Sequence, residues 1–186
     1  MITEQITQNE GKEDHRLHDS SCPIATSSIS ASTTLQNVDW LLSQITQVTE
    51  VEERAKLQVK LLQQYLEAGD EAHQPDTYQE AQQIWLQGIQ VAEPFLQEGE
   101  VNSEVKQKVL RLYEKAGIHA GSCLKDLDQA LELHQRGLSL TAPWQVEHEP
   151  DPRVQELVLR LYVNLGVRLG QGGQGPEAIQ QYQRGI

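Results

Sequence analysis

Val109-Leu110-Arg111-Leu112-Tyr113 returns as Val158-Leu159-Arg160-Leu161-Tyr162, 49 residues further along the chain. Four residues beyond each tyrosine stands a glycine, Gly117 and Gly166, and a weaker copy, Leu61-Leu62 through Tyr65 and Gly69, keeps that spacing. The tyrosines are therefore 48 and 49 residues apart. A second block repeats with its own phase: Ala81, Trp85, Gly88 and Pro94 match Ala130, His134, Gly137 and Pro143, then Ala178, Tyr182 and Gly185. Gln135-Arg136-Gly137 recurs verbatim as Gln183-Arg184-Gly185. Six of the 13 glycines and four of the 5 tyrosines fall on these phased positions, which a Gln-rich composition does not explain. A fixed period of this size marks a chain built from stacked supersecondary units.

Each unit reads as two helices. The first block places Leu, Val and Tyr at i, i+3 and i+4, and its starts carry N-terminal signals: Thr49 with Glu52 as a capping box, Asn102 or Ser103 before Glu104, and Asp151 followed by Pro152. These A helices are expected at about 50–69, 103–120 and 152–169. The second block opens at Asp76 after Pro75, at Asp126 and at Pro176-Glu177, and two copies close at Pro94 and Pro143, where a helix does not easily continue. These B helices are expected at about 77–92, 124–141 and 176 onward. Gly69, Gly117 and Gly166 with Ala81, Ala130 and Ala178 remove bulk where two axes must approach within about 8–10 Å, and the tyrosines then cover the junction with neighbouring layers. Ahead of the first unit, Leu35, Val38, Leu41, Leu42, Ile45 and Val48 form an apolar stripe beside Trp40, read as a capping helix over an otherwise exposed face.

Residues 1–34 hold few large apolar side chains and end in a Ser/Thr-rich run, so this segment buries too little surface to offset its backbone entropy and reads as a disordered tail. The expected organisation is thus tail 1–34, capping helix 35–48, and helix pairs at 49–94, 95–143 and 144–186. Over all 186 residues, 27 acidic against 15 basic side chains give a charge of −12, which disfavours phosphate backbones and anionic membrane surfaces as partners. One Phe, 5 Tyr and 3 Trp argue against a β-sandwich core. Two cysteines about a hundred residues apart, no basic-then-apolar leader and no apolar run of about 20 residues point to a cytoplasmic protein without a disulfide framework.

Tyr162, Leu165, Gly166, Leu169, Gly173, Ala178, Tyr182 and Gly185 resemble, in order and spacing, the tetratricopeptide repeat pattern of an aromatic, Leu-Gly, a large residue, Gly, Ala, an aromatic and a small residue. The middle copy keeps Ala116-Gly117, Ala130, His134 and Gly137, and the first keeps Tyr65, Gly69, Ala81, Trp85 and Gly88. That family's period is about 34 residues; here roughly 14 more lie mostly in the B-to-A connection and a lengthened A helix. The resemblance implies an all-α solenoid of antiparallel helix pairs whose A helices line a concave, partner-binding surface.

Several constellations invite a chemical reading. Gly170-Gln171-Gly172-Gly173-Gln174-Gly175 has the letters of a dinucleotide-binding turn, but a helix rather than a strand precedes it, so it reads as the turn between helices. His15, His18 and Cys22 offer three metal ligands without a fourth nearby. His119 and Cys123 share a helical face, for which a helix end is a more economical reading than a thiolate–imidazole pair, and His134 takes the packing position of Trp85 and Tyr182. No catalytic constellation, metal or cofactor is expected.

Ten basic residues, Arg54, Lys56, Lys60, Lys106, Lys108, Arg111, Lys115, Arg153, Arg160 and Arg168, fall on the three A helices of this acidic chain. Gln63, Arg111 and Arg160, each two positions before a phased tyrosine, with Lys115 and Asn164 two positions after, form the candidate groove. Guanidinium forks and ammonium groups suit carboxylates, so an acidic peptide segment or a C-terminal carboxylate is the expected ligand. The competing reading makes these charges a solvated face of Glu–Lys pairs such as Glu104–Lys108 and Glu52–Lys56, worth about 0.2–0.5 kcal/mol each. The expected function is a nonenzymatic scaffold or adaptor; the alternative is the substrate-recruiting front of a larger enzyme such as a protein glycosyltransferase. Ile186 stands about five residues before the proline expected of the third B helix, so the chain is expected to continue beyond it.

Overall fold

The computed structural model describes residues 35, 37–97, 101–144 and 151–185. The tail reading and the His15/His18/Cys22 trio lie outside the described residues. Among those residues there are seven α-helices and no strand: α1 (Val38–Gln47), α2 (Val51–Glu71), α3 (Tyr78–Ala92), α4 (Ser103–Ser122), α5 (Leu127–Ser139), α6 (Pro152–Gln171) and α7 (Gly175–Arg184). Short 3₁₀ turns follow α3 at Glu93–Gln97 and α5 at Ala142–Trp144.

Local chemistry sets most boundaries. The Asn102 side chain accepts from the Glu104 amide, Asp126 from Gln129 and Asp151 from Arg153, at 2.8–2.9 Å; each satisfies a donor that the first turn leaves open. Pro152 and Pro176 occupy first-turn positions of α6 and α7, where a missing N–H costs nothing. Two starts differ from expectation. The first A helix begins at Val51 with Glu50 at the cap and no side-chain cap bond, so Thr49 and Glu52 form no capping box. The second B helix begins at Leu127 rather than 124, because Lys125 sits at φ 59°, outside helical space, immediately before the Asp126 cap.

Consecutive helices pack as α2 on α3, α4 on α5 and α6 on α7; α4 also packs on α2 and α3, and α6 on α4 and α5, while α1 lies on α2. The glycines explain how close each pair comes. A Cβ on Gly69 would stand 2.1 Å from Trp85 Nε1, one on Gly117 2.3 Å from His134 Cε1, and one on Gly166 2.7 Å from Tyr182 Cε1. The contact is reciprocal: Gly88 and Gly137 on the second helices, and Gly185 just past the end of α7, receive Tyr65, Tyr113 and Tyr162 from the first. The first two pairs share one exchange, an aromatic side chain of each helix seated on a glycine of the other; in the third, Tyr182 sits on Gly166, while Gly185 meets the Tyr162 Cβ together with Leu159 O and Val163 Cγ2, each at 3.2 Å. The tyrosines thus serve first within their own pair, a finer role than the interlayer cover expected of them. Leu112 and Leu161, from the next first-block helix, complete the Gly88 and Gly137 contacts.

The main core runs from Leu41 and Ile45 of α1 through Leu61, Leu62, Trp85, Leu110, Leu112 and Tyr113 to Val158 and Leu161 of α6. A smaller cluster joins Leu165, Leu169 and Ala178, with Tyr182 against it. Ile179 remains 58% exposed. On α6, Leu159, Val163 and Val167 are exposed, whereas Leu62 and Leu110, in the phase of Leu159, are fully covered.

Candidate functional site

Of the five groove candidates, Arg111 and Arg160 share one cleft, and Asn164 shares a second with Arg160. Arg111 on α4 and Arg160 on α6 line a cleft of about 220 Å³ with Lys108, Arg153 and Glu156. Arg160 also borders a neighbouring cleft of about 280 Å³ that contains Asn164. Gln63 joins indirectly: its Oε1 accepts from Lys108 Nζ at 2.7 Å, and its Nε2 donates to Glu67 at 2.7 Å. Lys115 lies apart, with its ammonium 2.6 Å from Asp70 Oδ1 and 5.9 Å from the centre of the Trp85 ring.

What positions the two arginines is a residue that sequence reasoning passed over. Glu114, 1% exposed, holds Arg111 Nη1 at 3.0 Å on one oxygen and Arg160 Nη2 at 2.6 Å on the other. The second contact is one of charge rather than an aligned hydrogen bond. Arg160 also stands 3.6 Å from Glu156. The sequence carries a signal for this: Glu114 occupies the phase held by Leu66 and Val163, an acid where the repeat is otherwise apolar. Both guanidiniums keep an exposed face, at 39% and 45% of their side chains, so the anchor fixes their forks without removing them from solvent.

The solvated-face reading holds for part of the layer. Glu52 and Lys56 pair at 2.8 Å with both side chains more than two-thirds exposed, a contact that solvent and salt screen strongly. Lys108 instead reaches across to Gln63 on α2. Arg168 is not a groove residue: it is buried, donates to Ser122 Oγ at 2.8 Å and to Ile118 O at 3.3 Å, and ties the end of α6 to the end of α4. Another polar lock joins Tyr113 Oη, which donates to Glu93 Oε1 at 2.8 Å, to Arg136, which pairs with the same carboxylate. Burial, followed by the Glu93 contact, pushes the Tyr113 phenol well above its usual range.

Of the other sites weighed, the glycine-rich run spans the end of α6 and the turn into α7, with Gly173 at φ 78°. His134 is fully buried against Gly117. Burial, with a smaller push from the Arg168 charge, lowers its pKa to about 4, so the fold holds a neutral imidazole whose two nitrogens lack partners. The folded value lies below the ordinary 6.5; this contribution to stability is therefore full above pH 6.5 and is lost as pH falls towards 4. Acid unfolding followed by helical circular dichroism should show a limb in that window, smaller by up to about 3 kcal/mol in His134→Phe. An unchanged limb would count against the assignment.

His119 and Cys123 do share one face of α4 and its end, and the structure adds a third member. His73, just after α2, places its Nε2 3.5 Å from Cys123 Sγ and its ring centre 4.9 Å from that of His119. His119 is 3% exposed; burial, then the nearby His73, lowers its pKa to about 4. Its Nδ1 meets Gln82 Oε1 at 3.0 Å, and Gln82 Nε2 donates to Gln129 Oε1 at 2.6 Å. His73 and Gln82 were not singled out by sequence reasoning. Gln82 was detectable, since its phase is otherwise Leu131 and Ile179; His73 lies in a loop and carries no such mark.

Compared with family models and with curated proteins, the chain matches none.

Proposed function

We propose that the chain is a tetratricopeptide-like scaffold, a solenoid of antiparallel helix pairs that holds an acidic peptide or a C-terminal carboxylate against its first-block helices. The observation that carries the ligand reading is the pair Arg111 and Arg160, in register one repeat apart, steadied by buried Glu114 and open to a cleft with Lys108 and Arg153. A fork already fixed by an internal carboxylate loses less freedom on meeting a second one. The solenoid reading is supported by the seating of a ring on Gly69, Gly117 and Gly166 in turn and by the succession of contacts from α2 to α4 to α6. A nonenzymatic, cytoplasmic adaptor is the role that follows.

The test is fluorescence anisotropy with a labelled acidic peptide bearing a free C-terminus, its amide-capped form, and a version with Gln and Asn in place of the acids. The acidic, free-carboxylate peptide should bind at least about tenfold more tightly, and its advantage should shrink with added salt. Arg111→Gln and Arg160→Gln, taken singly, each leave the other guanidinium on Glu114, so the fold survives while affinity falls about tenfold. Equal affinity for all three peptides, or indifference to both variants, would overturn the ligand assignment.

A further inference from the structure

We propose that His73, His119 and Cys123 form a zinc site at the junction of the first two helix pairs, with two imidazoles and one thiolate as protein ligands and the fourth position left to water. One nitrogen or sulfur atom from each side chain lies within 4.8 Å of the others. His73 Nε2 and Cys123 Sγ, 3.5 Å apart, already span the edge of a tetrahedron with Zn–N of about 2.0–2.1 Å and Zn–S of about 2.3 Å.

The independent observation is the state of His119. Its Nδ1 faces an amide oxygen, which can only accept, so Nδ1 carries the proton and Nε2 presents a lone pair. That Nε2 is buried and has no hydrogen-bond partner. The Gln82 oxygen is turned towards His119 because the Gln82 amide nitrogen is engaged by Gln129. A metal-bound imidazole with its second nitrogen donating to a fixed outer acceptor is the arrangement that sets tautomer and ring orientation in protein metal sites.

The repeat supplies its own comparison. Arg168 on α6 has the phase of His119, and it bridges directly to the end of α4 through Ser122 Oγ and Ile118 O. One junction is closed by a guanidinium; the other faces two imidazoles and a thiol towards one another without a bond to His119 Nε2. The donor set selects the ion class. No carboxylate belongs to the trio, which disfavours Mg²⁺ and Ca²⁺, and imidazole with thiolate suits Zn²⁺. The rings of Tyr78 and Trp85, with centres 5.3 and 5.1 Å from that of His119, wall the site, while exposed His73 and half-buried Cys123 leave an entry path. On binding, the Cys123 thiol yields its proton to solvent and the S–Zn bond replaces the contact with His73.

The test uses the full chain carrying Cys22→Ser, which leaves Cys123 as the sole thiol and removes one member of the His15/His18/Cys22 trio. Titration with Co²⁺ should give one ion per chain, a thiolate charge-transfer band and the strong visible bands of four-coordinate cobalt, all displaced by one equivalent of Zn²⁺. Cys123→Ser should abolish the charge-transfer band. His73→Ala, an exposed position, should keep the helical signal and weaken binding by more than the roughly 10–100-fold expected of the outer-shell variant Gln82→Leu. Absence of the thiolate band in the Cys22→Ser chain, or equal affinity in His73→Ala, would overturn the site; so would one tightly bound ion surviving in Cys123→Ser.

Discussion

Replacing Arg111 and Arg160 together by glutamine is expected to destabilise the fold by about 3 kcal/mol, although both side chains sit near the surface. The cost arises at Glu114, whose nearly inaccessible carboxylate would lose both cations. The low end of the range for stranding a buried ion applies because half-exposed neighbours admit water. Each single variant should cost far less, so the double variant should exceed the sum of the singles. Glu114→Leu gives the opposite expectation. Leucine is what the repeat carries at position 66 and valine at 163, and replacing a buried ion by a fitting apolar side chain is often neutral or stabilising. Urea unfolding of the four variants checks both halves. If the double variant equals the sum of the singles, Glu114 is not the shared anchor.

Gly69→Ala should be the most damaging single methyl that can be added to the described helices, at about 2–3 kcal/mol despite alanine's better helix propensity. The new Cβ would stand 2.1 Å from Trp85 Nε1 and 2.5 Å from its Cδ1, and the indole is 2% exposed, with nowhere to retreat. Gly117→Ala meets fully buried His134 at 2.3 Å and should follow closely; Gly166→Ala meets the half-buried Tyr182 at 2.7 Å and should be milder. Gly170→Ala is the control. Its Cβ finds only the Ala178 methyl at 4.0 Å, so the helix gains about 0.5–1 kcal/mol. Adding Trp85→Ala to Gly69→Ala should restore part of the loss as a coupling of about 0.5–3 kcal/mol. Equal effects at positions 69 and 170 would remove the steric account.

The helices were legible because their signals are local. Asn102, Asp126 and Asp151 cap as their residue types require, and the Gly–ring phases told which surfaces meet. Thr49 misled because the helix could begin at Val51 with Glu50 alone at its head. The candidate site was only half legible. Arg111 and Arg160 could be placed by period, but their neutralising partner Glu114 lay three residues after Arg111 in an otherwise apolar phase, and Lys115 turned away to Asp70 through a contact spanning 45 residues. Pairings of that range depend on how neighbouring helices settle, which helix periodicity does not encode. His73 reached the His119–Cys123 face for the same reason.

The exchange of rings and glycines has a consequence for motion. On the first helix of a pair the ring and the glycine are four residues apart, and on the second three, so the two seats lie one turn apart on each helix. A pair that slid along its axis would have to lift both rings over Cβ-bearing positions in the same instant. Sliding is therefore opposed at both seats together, and each such pair is expected to resist axial creep at two points rather than one.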